Sequence, residues 1–221
     1  MTSTHPSDAA ERLRRAFTNP QPSVRLRAAL AAGSHPDPSH VSMLIERCAT
    51  ESDFYVRDML TWALTRHPSQ LTVPLLLEEL GSVRTQACSQ ALHTLSKIGD
   101  TTTWSAITRH LLQHPDDEVA RSAWRAGVVL VPPGSAGELA RVLATQLGRG
   151  DRDLRLSLSR ALVGLGEAAR DVVTMVADRG DDTSAEHAIA TLRLLDDPDE
   201  SFDAATFDAR RIIALGPDAD R

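Results

Sequence analysis

The sequence predicts an all-α fold, a right-handed α-solenoid of about six helix pairs with a C-terminal capping helix. A short segment recurs six times with starts 30 to 35 residues apart, apolar residues follow a helical period in each copy, and turn-forming residues separate the copies. A fixed repeat of this length is typical of solenoids, in which each unit buries its apolar face only against its neighbours. The six copies, called echoes below, begin at Val24, Val56, Ala87, Val119, Leu154 and Ser184.

Each echo has the pattern of the second helix of a pair. Counted from the first residue of the echo, positions 1, 5, 8, 9 and often 12 are apolar, which places them in one stripe along a helix. Leu154, Leu158, Ala161, Leu162 and Leu165 show the full pattern. The first helix of each pair is predicted upstream of its echo, at about 7–18, 38–50, 70–80, 102–113, 135–148 and 167–179.

The residues between these segments agree with helix boundaries. Pro74 is predicted to lie early in its helix, where a missing N–H costs least. Gly99 and Gly166 follow apolar helical patterns and are typical of helix C-termini. The polar segments 114–117 and 150–153 are predicted to form tight turns between the two helices of a pair.

The last part of the chain is predicted to close the stack, because a terminal repeat has no neighbour to cover its apolar side. Acidic residues 196–203 are interpreted as a linker into an amphipathic helix over 202–215, with Phe202, Ala205, Phe207, Ile212 and Leu215 on its apolar side. The predicted organisation is a disordered N-terminus (1–6), a solenoid (7–195), the acidic linker with the capping helix (196–216) and a disordered tail (217–221).

Composition limits the class of protein. No apolar run approaches the roughly 18 residues that span a bilayer, and the polar first eight residues lack the apolar core of a signal peptide. Cys48 and Cys88 have no metal-ligand spacing and are interpreted as reduced core residues. These features predict a cytoplasmic location, and a net charge of −6 argues against a general nucleic-acid coat.

The echoes resemble HEAT repeats, and most closely the short bacterial type first associated with phycobilin lyases. The resemblance rests on Asp-x-x-Val-Arg or a variant opening the second helix, and it covers residues 7–195. The fullest matches are 53–57 and 151–155, whereas the arginine is replaced at Cys88, Ala120 and Ala185. The resemblance implies that the Asp and Arg, such as Asp53 with Arg57, bond within and between repeats, and that the second helices line a concave surface.

Positions 3, 6, 7 and 10 of the second helices lie opposite the apolar stripe and are predicted to face a partner. Trp62 is the predicted apolar anchor, because tryptophan and arginine dominate binding hot spots. An alternative interpretation is that Trp62 and Trp124 fill grooves between adjacent repeats. The predicted partner-binding residues, including two at the margin of the face, are Asp58, Trp62, Arg66, His93, Lys97, Arg121, Trp124, Arg125 and Arg160.

The sequence favours a non-catalytic scaffold or adaptor that binds a protein or peptide partner and needs no cofactor or metal. The alternative is a DNA-associated protein or a HEAT-like DNA glycosylase that uses Asp58, Trp62, Trp124 and Arg125, since a departing cationic base needs a carboxylate. His110 and His114 have the i, i+4 spacing of a metal-binding pair. With no evident third ligand, they are interpreted as a surface pair.

Overall fold

A computed structural model describes the backbone of residues 6–215 and the side chains of residues 10–214. The predicted disordered ends, 1–6 and 217–221, lie outside this range except for Pro6, at which the first helix begins. The α-helices are α1 (Pro6–Phe17), α2 (Pro22–Ser34), α3 (Val41–Cys48), α4 (Phe54–Thr65), α5 (Ser69–Glu79), α6 (Thr85–Ile98), α7 (Arg109–Leu112), α8 (Asp117–Leu130), α9 (Ala136–Ala144), α10 (Arg152–Gly164), α11 (Glu167–Arg179), α12 (Asp182–Asp196) and α13 (Phe202–Leu215).

The chain divides into two compact units, and the first comprises residues 1–100. Its first helices are α1, α3 and α5, and each packs against the second helix that follows it, α2, α4 or α6. The second helices also stack on one another, α2 on α4 and α4 on α6. Leu44, Leu60, Leu64 and Leu92 are fully buried in this unit.

The second unit comprises residues 101–221 and repeats the same alternation. The first helices α7, α9 and α11 pack against the second helices α8, α10 and α12, which again stack on one another in order. Leu130, Leu139, Leu143 and Leu158 are fully buried here. All-helical units built from stacked helix pairs confirm the predicted α-solenoid class.

Four of the second helices begin at an aspartate, which lies in the turn before the echo. The Asp53 carboxylate accepts a hydrogen bond from the backbone N–H of Val56 at 3.0 Å, and Asp151 accepts one from Leu154 at 2.9 Å. Asp116 and Asp181 cap α8 and α12 in the same way. The recurring aspartate is therefore an N-cap that satisfies N–H groups left free at the helix start.

The first helix of the fourth pair differs from the prediction of one helix over 102–113. A 3₁₀-helix, Thr101–Ala106, is followed by the single turn α7. The segment opens with the β-branched residues Thr101, Thr102 and Thr103, which are poor helix formers. The Thr108 hydroxyl then accepts a hydrogen bond from the N–H of Leu111 at 3.4 Å and starts α7.

Pro74 was predicted to lie early in its helix, where a missing N–H costs least, but it lies beyond the first turn. It is the sixth residue of α5 and lies on an exposed side of the helix. Without an N–H it cannot bond to the carbonyl of Gln70, so one intrahelical hydrogen bond is missing there.

A helix occupies Phe202–Leu215, as the amphipathic pattern predicted. Phe202, Ala205 and Ala209 are buried against Ala190 and Leu194 of α12. Leu156 and Val163 of α10 also pack against this cluster, and α13 covers one side of α12. Phe207 was predicted on the buried side but is 69% exposed, and the side chain of Leu215 lies outside the described residues.

Candidate functional site

In the first unit, Trp62 lies on the predicted solvent-facing side of α4 and is 37% exposed. Its indole rests on Gly33 of α2, where an added Cβ would come within 2.3 Å of the Trp62 Cζ3 atom. Leu30, at the equivalent position 7 of α2, is 46% exposed. The two neighbouring helices therefore present apolar side chains to solvent at matching positions.

The polar residues predicted around Trp62 are also accessible. Asp58, one turn before Trp62 on α4, and Arg66, at the end of the same helix, are exposed, and Lys97 is exposed on α6. His93, at position 7 of α6, is half-buried. The first unit thus presents a partly exposed indole together with charged side chains on the predicted face of α4 and α6.

Trp124 does not belong to such a surface, contrary to its predicted role in partner binding. It is fully buried, and its indole N–H donates a hydrogen bond to the carbonyl oxygen of Leu112 at 2.8 Å. Position 6 lies about 115° from the centre of the apolar stripe, against about 145–175° for positions 3, 7 and 10. Position 6 is therefore a flank that packs in the interior, as Thr61 on α4 and Ser159 on α10 also show.

In the second unit, three predicted residues come together between α8 and α10. Arg121, Arg125 and Arg160 line one groove of about 600 Å³. Burial lowers the pKa of Arg125, and the neighbouring positive charges of Arg121 and Arg160 add to that effect. The groove is therefore electropositive at this end.

The arginines at position 2 of the echoes bond within their repeats, as the resemblance implied, and close the turns before their helices. Arg57 donates hydrogen bonds to the carbonyl oxygens of Glu51 and Ser52 at 2.9 and 2.8 Å, and Arg155 donates one to Gly150 at 3.1 Å. The implied pair of Asp53 with Arg57 does not form, because Asp53 caps α4 while Arg57 bonds to carbonyl groups.

Sequence reasoning did not single out Glu51, which is fully buried in the turn before α4. Its carboxylate accepts two hydrogen bonds from Arg25, both of 2.7 Å, and two from Arg47. Burial alone would raise its pKa, but the bonds to Arg25, to the N–H of Asp53 and to Arg47 outweigh burial, and the pKa falls to about 2. The i, i+4 spacing of Arg47 and Glu51 was the available sequence signal.

A second unpredicted cluster surrounds His187 in the second unit. Its Nε2 atom lies 3.0 Å from the Ser159 hydroxyl and 3.0 Å from the carbonyl oxygen of Arg155. The Ser159 hydroxyl also lies 2.8 Å from the hydroxyl of Thr191. Ser159 and His187 are 0% and 2% exposed, so the serine hydroxyl is not accessible to a substrate and the pair joins adjacent repeats.

The residues that could bind a metal or react as thiols lie in surroundings that favour a structural role. Cys48 and Cys88 are buried and unbonded to each other, and burial raises the pKa of the Cys48 thiol to about 12. The rings of His110 and His114 meet edge to face at 5.6 Å, but His114 Nδ1 accepts a hydrogen bond from the N–H of Asp116. Over the described range, no three His, Cys, Asp or Glu side chains form a group suited to a metal ion.

The comparison with protein families supports a helical-repeat architecture. Residues 1–65 match the family of HEAT repeats. The chain is also similar to the crystal structure of an engineered protein, with 19% identity, a TM-score of 0.46 and coverage of 93% of this chain and 96% of that one. No curated protein matches the sequence significantly. None of the helices within residues 6–215 has the length and apolar character needed to cross a membrane.

Nothing in the structure or the comparisons supports the DNA glycosylase alternative. The buried Trp124 cannot stack on a nucleic-acid base.

Proposed function

We propose that this protein is a non-catalytic scaffold or adaptor whose second helices bind a protein or peptide partner. The observation that carries the proposal is Trp62, a large apolar side chain held at a solvent-facing position by its close contact with Gly33. Leaving more than a third of the Trp62 side chain exposed to water is unfavourable, and partner contact would remove this apolar area from water.

The repeat architecture supports the same proposal. Residues 1–65, which include Gly33 and Trp62, match HEAT repeats, and such arrays present extended concave surfaces to their partners. We extend this assignment to residues 66–195 and to the short bacterial type, because the N-cap aspartate recurs at Asp116, Asp151 and Asp181. The proposed mechanism is docking on a preformed face, with Trp62 as anchor and Asp58, Arg66, His93 and Lys97 as polar contacts.

Replacing Trp62 with alanine is expected to weaken partner binding by about thirty-fold, the effect of losing a hot spot worth about 2 kcal/mol. The partner is first captured from nuclease-treated native extract on the immobilised protein and identified by mass spectrometry. The affinity of the purified partner is then measured by calorimetry. Gly33→Ala is expected to weaken binding as well, because the added Cβ would come within 2.3 Å of the Trp62 indole and 2.9 Å of the Ala63 Cα atom, and so would displace both the indole and the adjacent backbone of α4.

Leu71→Ala is the matched control for Trp62→Ala. Leu71 is 42% exposed in the same unit but lies on α5, a first helix. The Leu71→Ala variant should bind the partner like the wild type. Circular dichroism should show unchanged helix content in Trp62→Ala, Gly33→Ala and Leu71→Ala. Equal affinity of the Trp62→Ala variant and the wild type would refute the proposed face.

A further inference from the structure

The groove between α8 and α10 in the second unit combines positive charge with an apolar surface. Its volume of about 600 Å³ lies in the range of sites that hold small ligands or a few peptide side chains. Both walls are second helices that pack directly on each other. Its lining includes Arg121, Arg125, Arg160, Val128, Val129 and Asp153.

The arginines of the groove are incompletely neutralised. Arg121 has one exposed acidic neighbour, Glu118, at 3.6 Å. Among the described residues, Arg125 and Arg160 form no hydrogen bond and no ion pair with their side chains. The Nε atom of Arg121 is also shielded from solvent and finds no acceptor within this range. The groove thus offers guanidinium donors for which the described chain supplies too few acceptors.

The acidic and apolar residues of the groove define its character further. Asp153 is the one carboxylate among the lining residues, and Arg152 pairs with it at 2.9 Å. Val129 is 51% exposed, while Val128 and Leu156 are half-buried. A ligand that fills the groove would therefore bring negative charge to the arginines and an apolar group to the valines.

We propose that the α8–α10 groove binds an acidic peptide segment of the partner, with carboxylates on Arg121, Arg125 and Arg160 and an adjacent apolar side chain against Val128 and Val129. This inference rests on the proposed scaffold function and adds the chemistry of the segment bound. Arginine suits the role because its planar guanidinium group can pair with a carboxylate through two parallel hydrogen bonds.

The groove favours a peptide over a nucleic acid. A phosphate backbone needs a track of cations, whereas here three arginines stand beside exposed Val129 and a carboxylate lies on the lining. The net charge of −6 also repels a polyanion at long range, which a short acidic segment experiences less.

The test measures binding of fluorescein-labelled decapeptides by fluorescence anisotropy at low ionic strength. One peptide carries four glutamates around two central leucines. Its matched analogue keeps the leucines and carries glutamines in place of the four glutamates. The wild type is expected to bind the glutamate peptide at least about tenfold more tightly. The double variant Arg125→Gln/Arg160→Gln should weaken that binding on the order of tenfold and leave binding of the analogue unchanged.

The control double variant is Arg141→Gln/Arg179→Gln, which removes the same charge from exposed positions of α9 and α11 in the same unit. It should stay within about twofold of the wild type. Equal loss in both double variants, equal binding of the two peptides, or tighter binding of a 20-base-pair DNA duplex through Arg125 and Arg160 would overturn the inference. If the glutamate peptide fails while partner binding still depends on Trp62, the inference fails and the scaffold function stands.

Discussion

Replacing Glu51 with glutamine is expected to lower the free energy of unfolding by about 3–5 kcal/mol, the cost of breaking a buried ion pair. The carboxylate is fully buried and receives hydrogen bonds from Arg25, Arg47 and the backbone N–H of Asp53. A neutral amide leaves the buried Arg25 guanidinium without a countercharge and offers one acceptor atom where there were two.

The effect of Glu51 is measured by urea unfolding of the wild type and the variant at pH 7. Glu46→Gln is the matched control, because Glu46 lies in the same helix-to-turn segment but is exposed. It should change the free energy of unfolding by less than about 0.5 kcal/mol. If Glu51→Gln and Glu46→Gln lower the free energy of unfolding by the same amount, Glu51 does not hold the turn between α3 and α4 through its ion pairs.

The pKa of Glu51 also predicts when this stabilisation disappears. The folded-state pKa of about 2 lies below the ordinary value of 4.5, so the unfolded chain takes up the proton first as the pH falls. The stabilisation is complete above about pH 4.5 and is lost as the pH falls from 4.5 towards 2.

The second large effect is a loss of stability through His187, which begins at a higher pH than the loss through Glu51. The Nδ1 atom accepts a hydrogen bond from the N–H of Gly148 at 3.0 Å, so a proton on Nδ1 would face another donor. The buried ring is therefore neutral, with its proton on Nε2 directed to the carbonyl oxygen of Arg155 and the Ser159 hydroxyl. Burial lowers the pKa of His187 from 6.5 to about 4, although the bond to Arg155 opposes this shift.

Between pH 6.5 and pH 4 the unfolded chain binds a proton at His187 that the folded chain excludes. The stability contributed by the neutral His187 ring is present above pH 6.5. The free energy of unfolding should fall by about 3 kcal/mol as the pH drops to 4. Urea titrations across this range should show the loss in the wild type and a correspondingly flatter profile in His187→Gln. The exposed His110 provides the control His110→Gln, which should retain the wild-type profile. If the free energy of unfolding depends on pH equally in His187→Gln and the wild type, His187 does not cause the loss.

The helical period was enough to predict the stacked helix pairs, because apolar positions such as Leu60, Leu64 and Leu158 are buried. It also placed Trp62 and Arg125 on exposed sides of their helices. The pattern failed at position 6, where burial of Trp124 depends on the neighbouring α7 and its Leu112 carbonyl. One-dimensional periodicity describes a single helix and carries no information about the contacts at its flanks.

The charged interior was less predictable for a related reason. Glu51 lies in a turn, where an acidic residue is ordinarily solvated, and it is buried here because Arg25 from the previous repeat folds over it. His187 depends in the same way on Gly148 and Ser159, which lie 39 and 28 residues before it. Each depends on a pairing between adjacent repeats, and a single sequence does not show which side chains meet across that distance.

The most direct test of the proposed binding face is hydroxyl-radical footprinting of the protein alone and bound to its captured partner. Trp62 on α4 should lose most of its reactivity in the complex, whereas Met175 on the first helix α11, which is 51% exposed, should react equally in both states. Protection of Met175 with unchanged reactivity of Trp62 would show that the partner binds the first helices, and the account of the second-helix face would be wrong.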